Sequence, residues 1–290
     1  MGTLSGQDKL VCGVDFSGAN KTPNDTWLAY GRVSGWQFEI LGIKQVGSHA
    51  IGAELAKLGL TAAGIDCPFS LPAEFMEFMA QKALRKEFQT WQELAEHIVF
   101  TSFDDFLEQV KEFKKEPKRI ADKAVKAPAL SPLHRGNPSM VQMTYHGMRM
   151  LAMLDPSKFA VLPFQDEPVG ACSVIEVYPR EFLRFLSLPE TGYKTKVKKE
   201  DPDVEKIRRQ ILSGLFELKE RRQIALKEFI RLSISKELER QAIASDHALD
   251  AVICAYLTAL FVTQRPAFSD PFEQDDDKVL LEGWIYSLKE

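Results

Sequence analysis

Lys9-Leu-Val-Cys-Gly-Val-Asp15 opens the readable part of the chain, and Leu60-Thr-Ala-Ala-Gly-Ile-Asp66 repeats its form fifty residues later. Each is a short apolar run that keeps its polarity for the last residue. The first is stopped by Ser17-Gly18 and the second by Cys67-Pro68, as expected of buried strands ending in turns. Between them, Thr26 to Val33 and Trp36 to Lys44 flank Ser34-Gly35 as a hairpin, and Ser48 to Leu58 carries apolar residues at helical spacing. A helical crossover makes the two Asp-terminated strands parallel, so the opening reads β-β-β-α-β.

Working outward, the composition from Pro72 to about Ser157 turns to helix formers and charge. Ala73 to Lys86, Trp91 to His97 and Phe103 to Glu116 predict amphipathic helices, which we read as an insertion. Sheet resumes at Phe159 to Pro163 and at Ala171 to Val177, which runs into Tyr178-Pro179. Asp203 to about Ala242 predicts charged helix. Ser245 reads as the N-cap of a buried helix from Asp246 to Val262, and Val279 to Leu288 as a closing edge strand. The expectation is one α/β domain over residues 1–290, a mixed sheet flanked by helices with an inserted helical region at about 72–157.

The 290 residues comprise 45% hydrophobic and 27% charged side chains, the balance of a soluble globular protein. With 37 basic against 41 acidic residues the net charge is −4, which excludes nucleic-acid binding by bulk charge and leaves only a local basic strip. Two such clusters exist, Lys111 to Lys126 and Lys194 to Lys199, each of which also reads as a solvated surface. No basic flank precedes an apolar core at the start, and no uninterrupted apolar run reaches membrane-spanning length, so the reading is cytoplasmic without a membrane partner. Cys12, Cys67, Cys172 and Cys254 are scattered through apolar segments and read as reduced core residues. Oligomeric state is not legible.

Asp15, Asp66 and Glu176 all close apolar strands. In a parallel sheet such ends open onto one crevice, where ligands bind. Asp250 lies one turn into an apolar helix, with Asp246 and His247 on its face. Converging carboxylates repel unless a cation balances them, and hard oxygen donors suit Mg²⁺ or Mn²⁺. Such ions support phosphodiester hydrolysis with water as nucleophile. Simpler roles stay open: Asp15 or Asp66 as turn residues, Glu176 paired with Arg180 or a lysine, Asp246 in a helix's first turn, and His247 as a solvated helix-start histidine.

Gly13-Val-Asp15-Phe-Ser-Gly18, Ile65-Asp66-Cys-Pro68-Phe-Ser-Leu-Pro72, Glu176-Val-Tyr178-Pro179, Gly192-Tyr193-Lys194 and Asp246-His-Ala-Leu-Asp250-Ala occur in the order that resembles the domain of unknown function 429 family. Arg119-x-x-Asp122 is similar to a further family feature. That family is regarded as predicted nucleases of ribonuclease H-like fold. The resemblance implies Asp15, Asp66 and Asp250 as metal ligands assisted by Asp246 or His247, with Asp15, Asp66, Glu176 and Asp250 catalytic. It places Arg119 and Lys194 beside the acids, where a cation grips phosphate; Ser17, in the loop after the first strand, joins them as a substrate contact. The partner is then nucleic acid or a nucleotide.

Two other functions remain open at this point. Gly13-Val-Asp15-Phe-Ser-Gly18 also resembles the first phosphate loop of the actin-like ATPase and sugar-kinase superfamily, although the chain holds one such loop and no Walker motif. The other is a binding protein of the same fold without turnover.

Overall fold

A computed structural model describes residues 8–19, 26–136, 138–194, 202–218 and 226–289. Lys196, Lys198 and Lys199 of the second basic cluster lie outside the described residues, as does part of the helix expected over 203–242.

Seven strands form one sheet: β1 (Lys9–Asp15), β2 (Trp27–Ser34), β3 (Gln37–Gln45), β4 (Ala62–Asp66), β5 (Phe159–Val161), β6 (Cys172–Glu176) and β7 (Arg231–Ile234), in the order β5-β6-β4-β1-β2-β3-β7. β2 runs antiparallel to both neighbours, and every other pairing is parallel. The C-terminal ends of β1, β4 and β6 therefore open on the same side. The expected mixed α/β sheet is present, and β1 begins and ends at the predicted residues.

Helices cover both faces. One face carries α7 (Pro179–Phe185), α8 (Pro202–Phe216), α9 (Lys236–Ala244) and α10 (Asp246–Gln264), packed in a cluster with Val11, Ala29, Phe38 and Ile175. The other packs Cys12, Val14, Ile65 and Val174 against α1 (Ile51–Leu58), α3 (Trp91–Phe100) and α6 (Pro138–Ala152). The region between β4 and β5 is helical as expected, adding α2 (Ala73–Lys82), α4 (Phe103–Phe113) and α5 (Ile120–Ala124). Its own apolar cluster is built from Phe75, Met79, Leu94, Phe106 and Met148.

α10 is the helix on which the fold turns. Ser245 caps it by accepting a hydrogen bond from the Ala248 amide. It is long and apolar enough to cross a membrane, yet most of its apolar length is buried against β1, β2 and β4. The contact is backbone to backbone, because a Cβ on Gly13 would stand 2.0 Å from the Ala255 nitrogen and 2.4 Å from the Ala251 oxygen. Gly64, directly opposite Gly13 in the β1–β4 register, does the same for Thr258, whose Oγ1 would lie 2.2 Å from an added Cβ. Two glycines side by side thus form a flat seat, and the helix lies closer to the sheet than any side chain permits.

Two expectations need correction. The stretch 203–242 is interrupted by β7, a four-residue strand on β3 whose Arg-Leu-Ser-Ile sequence is too short to show a period against the charged helices on either side. The tail is not an edge strand. Val279–Glu282 forms α11, after which only isolated bridges remain, Ile285 to Glu176 and Leu288 to Phe268. Glu282 explains the turn of helix, since its Oε1 accepts from the Ala73 amide at 2.7 Å and its Oε2 from the Ile120 amide at 2.7 Å. One carboxylate thus satisfies the first turns of both α2 and α5, which a strand at this place would leave open.

Gly13→Ala is expected to lower unfolding free energy by about 1–3 kcal/mol or more, because neither backbone at the contact can yield cheaply. Gly52→Ala, which meets only Leu154 at 3.5 Å, is the control and is expected to be neutral or stabilising. Chemical denaturation of the two variants checks this.

Candidate functional site

Side-chain alternation sorts the acids before any chemistry is considered. Val11, Gly13 and Asp15 share the face of β1 that meets α10, and Gly64 and Asp66 share that face of β4. Asp15 and Asp66 are register partners, so their carboxylates stand side by side at the mouth of the crevice. Glu176 pairs instead with Ile65 and follows Val174, so it projects from the opposite face.

That parity decides what Glu176 does. It meets Arg119, whose NH2 group lies 2.5 Å from Oε1 and whose NH1 lies 2.8 Å from Oε2, while the Phe69 amide donates to Oε2 at 2.9 Å. Arg119 gives its remaining donors to Asp122, at 2.8 and 3.2 Å, and to the Glu282 carbonyl at 3.3 Å. All five N–H groups are engaged in a residue only 1% exposed. Arg119 is therefore a buried staple joining the insertion to β6, and it is not turned toward a substrate phosphate as the sequence reading expected. Glu176, its bidentate partner, is likewise committed to this pairing and withdrawn from the expected catalytic role. Removing one member of such a set strands the others, at a cost of roughly 3–5 kcal/mol.

The seat on Gly13 and Gly64 brings the start of α10 over Asp15 and Asp66. His247 Nδ1 lies 2.6 Å from Asp15 Oδ2, on a side chain 37% exposed. Asp250, fully buried, accepts from the Tyr193 hydroxyl at 2.8 Å through Oδ1 and pairs with the Lys194 ammonium at 2.8 Å through Oδ2. Asp246 takes a different path. It pairs with Arg208 at 3.0 Å, and Arg208 also donates to the carbonyls of Tyr193, Ile243 and Ala244. Arg208 thereby ties the Tyr193–Lys194 loop to the junction of α9 and α10, and Asp246 serves that tie, apart from the carboxylate cluster it was expected to join.

Ser17 turns inward. Its hydroxyl is 2.9 Å from Thr26 Oγ1 and accepts from the Ala19 amide, so it shapes the loop after β1. Neither Tyr193 nor Arg208 was singled out from sequence. Tyr193 stood beside Lys194 in a quoted motif, whereas Arg208 lies in a charged helix where nothing distinguishes it from its neighbours.

Burial is the main force on the charges of the site. It raises the carboxyl of Asp15 above the usual range, helped by the nearby charge of Asp250 and opposed by the hydrogen bond from His247. Asp66 is raised well above that range by burial and then by Asp15 and Asp250. Lys194 is raised in turn, Asp250 being the first cause, so the ammonium persists beside the acids. Among the described residues, no hydrogen bond or ion pair engages the Asp66 carboxylate.

Among the described residues, no three His, Cys, Asp or Glu side chains form a ready-made metal cage. Mg²⁺ rarely uses one: it sits on one or two carboxylates, keeps water, and completes its shell with substrate phosphate. The adjacent Asp15 and Asp66, the latter without a hydrogen-bond partner among the described residues and its ionisation opposed by burial, fit that mode.

A family model described as "Protein of unknown function (DUF429)" matches residues 13–270. No curated protein and no solved structure matches the chain.

Asp66 carries a stability consequence. Because its folded pKa lies above the unfolded value near 3.9, the folded state binds more protons, and stability falls as pH rises from about 4 through the folded pKa. Asp66→Asn is expected to stabilise the metal-free protein by about 0.5–2 kcal/mol at pH 8 and by less at pH 5, read from melting curves in EDTA.

Proposed function

The chain belongs to the DUF429 family, and from that premise we propose that it is a divalent-metal-dependent phosphodiesterase of ribonuclease H-like organisation, a nuclease acting on nucleic acid or nucleotide. The observation carrying this reading is the register pair Asp15 and Asp66 beneath a helix that brings His247 and Asp250. An Asp closing the first strand, an acid closing the fourth and His-x-x-Asp on the late buried helix reproduce the order that the resemblance implies.

Asp15 and Asp66 would hold Mg²⁺ or Mn²⁺, which when bound would activate water as the nucleophile and offset charge on the phosphate oxygens. The chain's own residues do the rest. His247 fixes the orientation of Asp15 from a partly exposed position at the crevice mouth. Lys194, more than half exposed while tethered to Asp250, presents a positive charge at the crevice for a phosphate oxygen. Tyr193 donates to Asp250 and keeps that carboxylate turned toward Lys194. Arg119 and Glu176, paired with each other, keep the end of β6 near Asp66 rigid.

Metal binding must displace protons from acids whose pKa values are raised, so affinity for Mn²⁺ rises with pH. The test incubates the protein with single-stranded, duplex and branched DNA and RNA under Mg²⁺ or Mn²⁺. Cleavage that depends on metal and drops about 100-fold or more in Asp15→Asn and Asp66→Asn is expected. Cleavage that persists in EDTA, or in both variants, would refute the assignment.

A further inference from the structure

Beside Asp66 the crevice continues into a cavity of about 240 Å³ between the sheet edge and the insertion. Leu130, Met140 and Met143 from the insertion and Tyr178 after β6 wall it; Asp66, Arg180 and the closed Arg119–Glu176 pair give it a polar end. Three features mark it as built for a ligand. Leu130 stands 44% exposed at the mouth, an apolar side chain left in water. The Tyr178 hydroxyl donates to the Pro128 carbonyl at 2.9 Å, which pins the ring as a fixed wall. Arg180, whose Nε faces Glu190 at 3.6 Å, brings its side chain to the polar end of the cavity.

Polarisable thioethers, a fixed aromatic ring and a guanidinium at the polar end suit a flat heterocycle with an acceptor on its edge. The volume has room for one ring system. Since the same Asp66 borders both places, the group entering the cavity is the one attached next to the phosphate at Asp15 and Asp66. We propose that this cavity receives the unpaired base of the nucleotide beside the scissile phosphate. The substrate class is then a single-stranded end or a small nucleotide, in preference to intact duplex. The net charge of −4, which gives a long polyanion no bulk attraction, agrees with that class. A paired base reaches such a pocket only by leaving its stack, which costs binding energy. The proposal rests on the phosphodiesterase reading for its neighbour, although the pocket itself is tested without turnover.

The test uses the full chain and 2-aminopurine as the probe, in a dinucleotide, in a single strand and in the matching duplex, with fluorescence titrations in EDTA and again with Mn²⁺. Quenching on binding is expected for the unpaired probes. About a ten-fold loss of affinity is expected in Leu130→Asn and for an abasic analogue, with Leu130→Met close to the original protein. Equal binding of dinucleotide and strand identifies small nucleotides as sufficient; binding of the strand alone identifies a polynucleotide end. Duplex bound as well as single strand, an abasic analogue bound within two-fold, an unchanged Leu130→Asn, or no binding in either buffer would each overturn the pocket. Failure of the phosphodiesterase reading shows separately: base quenching would persist while Mn²⁺ fails to bind and no bond is cut.

Discussion

β1 and α10 meet without side chains between them, and the position of every charged group in the crevice follows from that contact. Gly13 and Gly64, opposite one another on neighbouring parallel strands, let Ala251, Cys254 and Thr258 settle onto the sheet. One turn earlier the helix carries Asp250, and almost a turn before that His247. One turn is the advance that takes the chain from Cys254 above Gly13 to Asp250 near Asp15. A larger residue in the seat would lift the helix, and the acids would lose their common crevice even if all were still present.

Bringing three carboxylates together in a mostly apolar setting is unfavourable, and the surrounding residues answer it unevenly. Asp250 accepts from Tyr193 and is ion-paired with Lys194, and Asp15 lies against His247, whereas no hydrogen bond or ion pair reaches Asp66 among the described residues. Arg208 matters here at one remove, because it holds the loop from which Tyr193 and Lys194 reach Asp250. On the other face, Arg119, Asp122 and Glu176 form a closed set that needs nothing from outside. The contrast between a completed ion set on one face and an incomplete one on the other is the physical case for a ligand at Asp66.

Much of this was legible in the sequence because the signals are local. Apolar runs ended by Asp gave β1 and β4, their order required a crossover, and Ser245 announced α10. What failed depended on long-range partners or on parity. Glu176 closes a strand just as Asp66 does, but the β4–β6 register offsets it by one residue, and an offset of one turns a side chain to the other face. Asp246 shares a helical face with Asp250 on paper, yet Arg208, thirty-eight residues away, claims it. β7 is four residues long and exists because β3 offers an edge. None of these partners can be read from the segment that needs them.

The central claim is that Asp15 and Asp66 together form the landing place for a divalent ion. Crystals grown without chelator and soaked in Mn²⁺ test it directly through anomalous scattering. The account predicts a peak bridging or touching both carboxylates, with water filling the remaining positions. A peak elsewhere with none at this pair, or no peak with Lys194 still paired to Asp250, would contradict it.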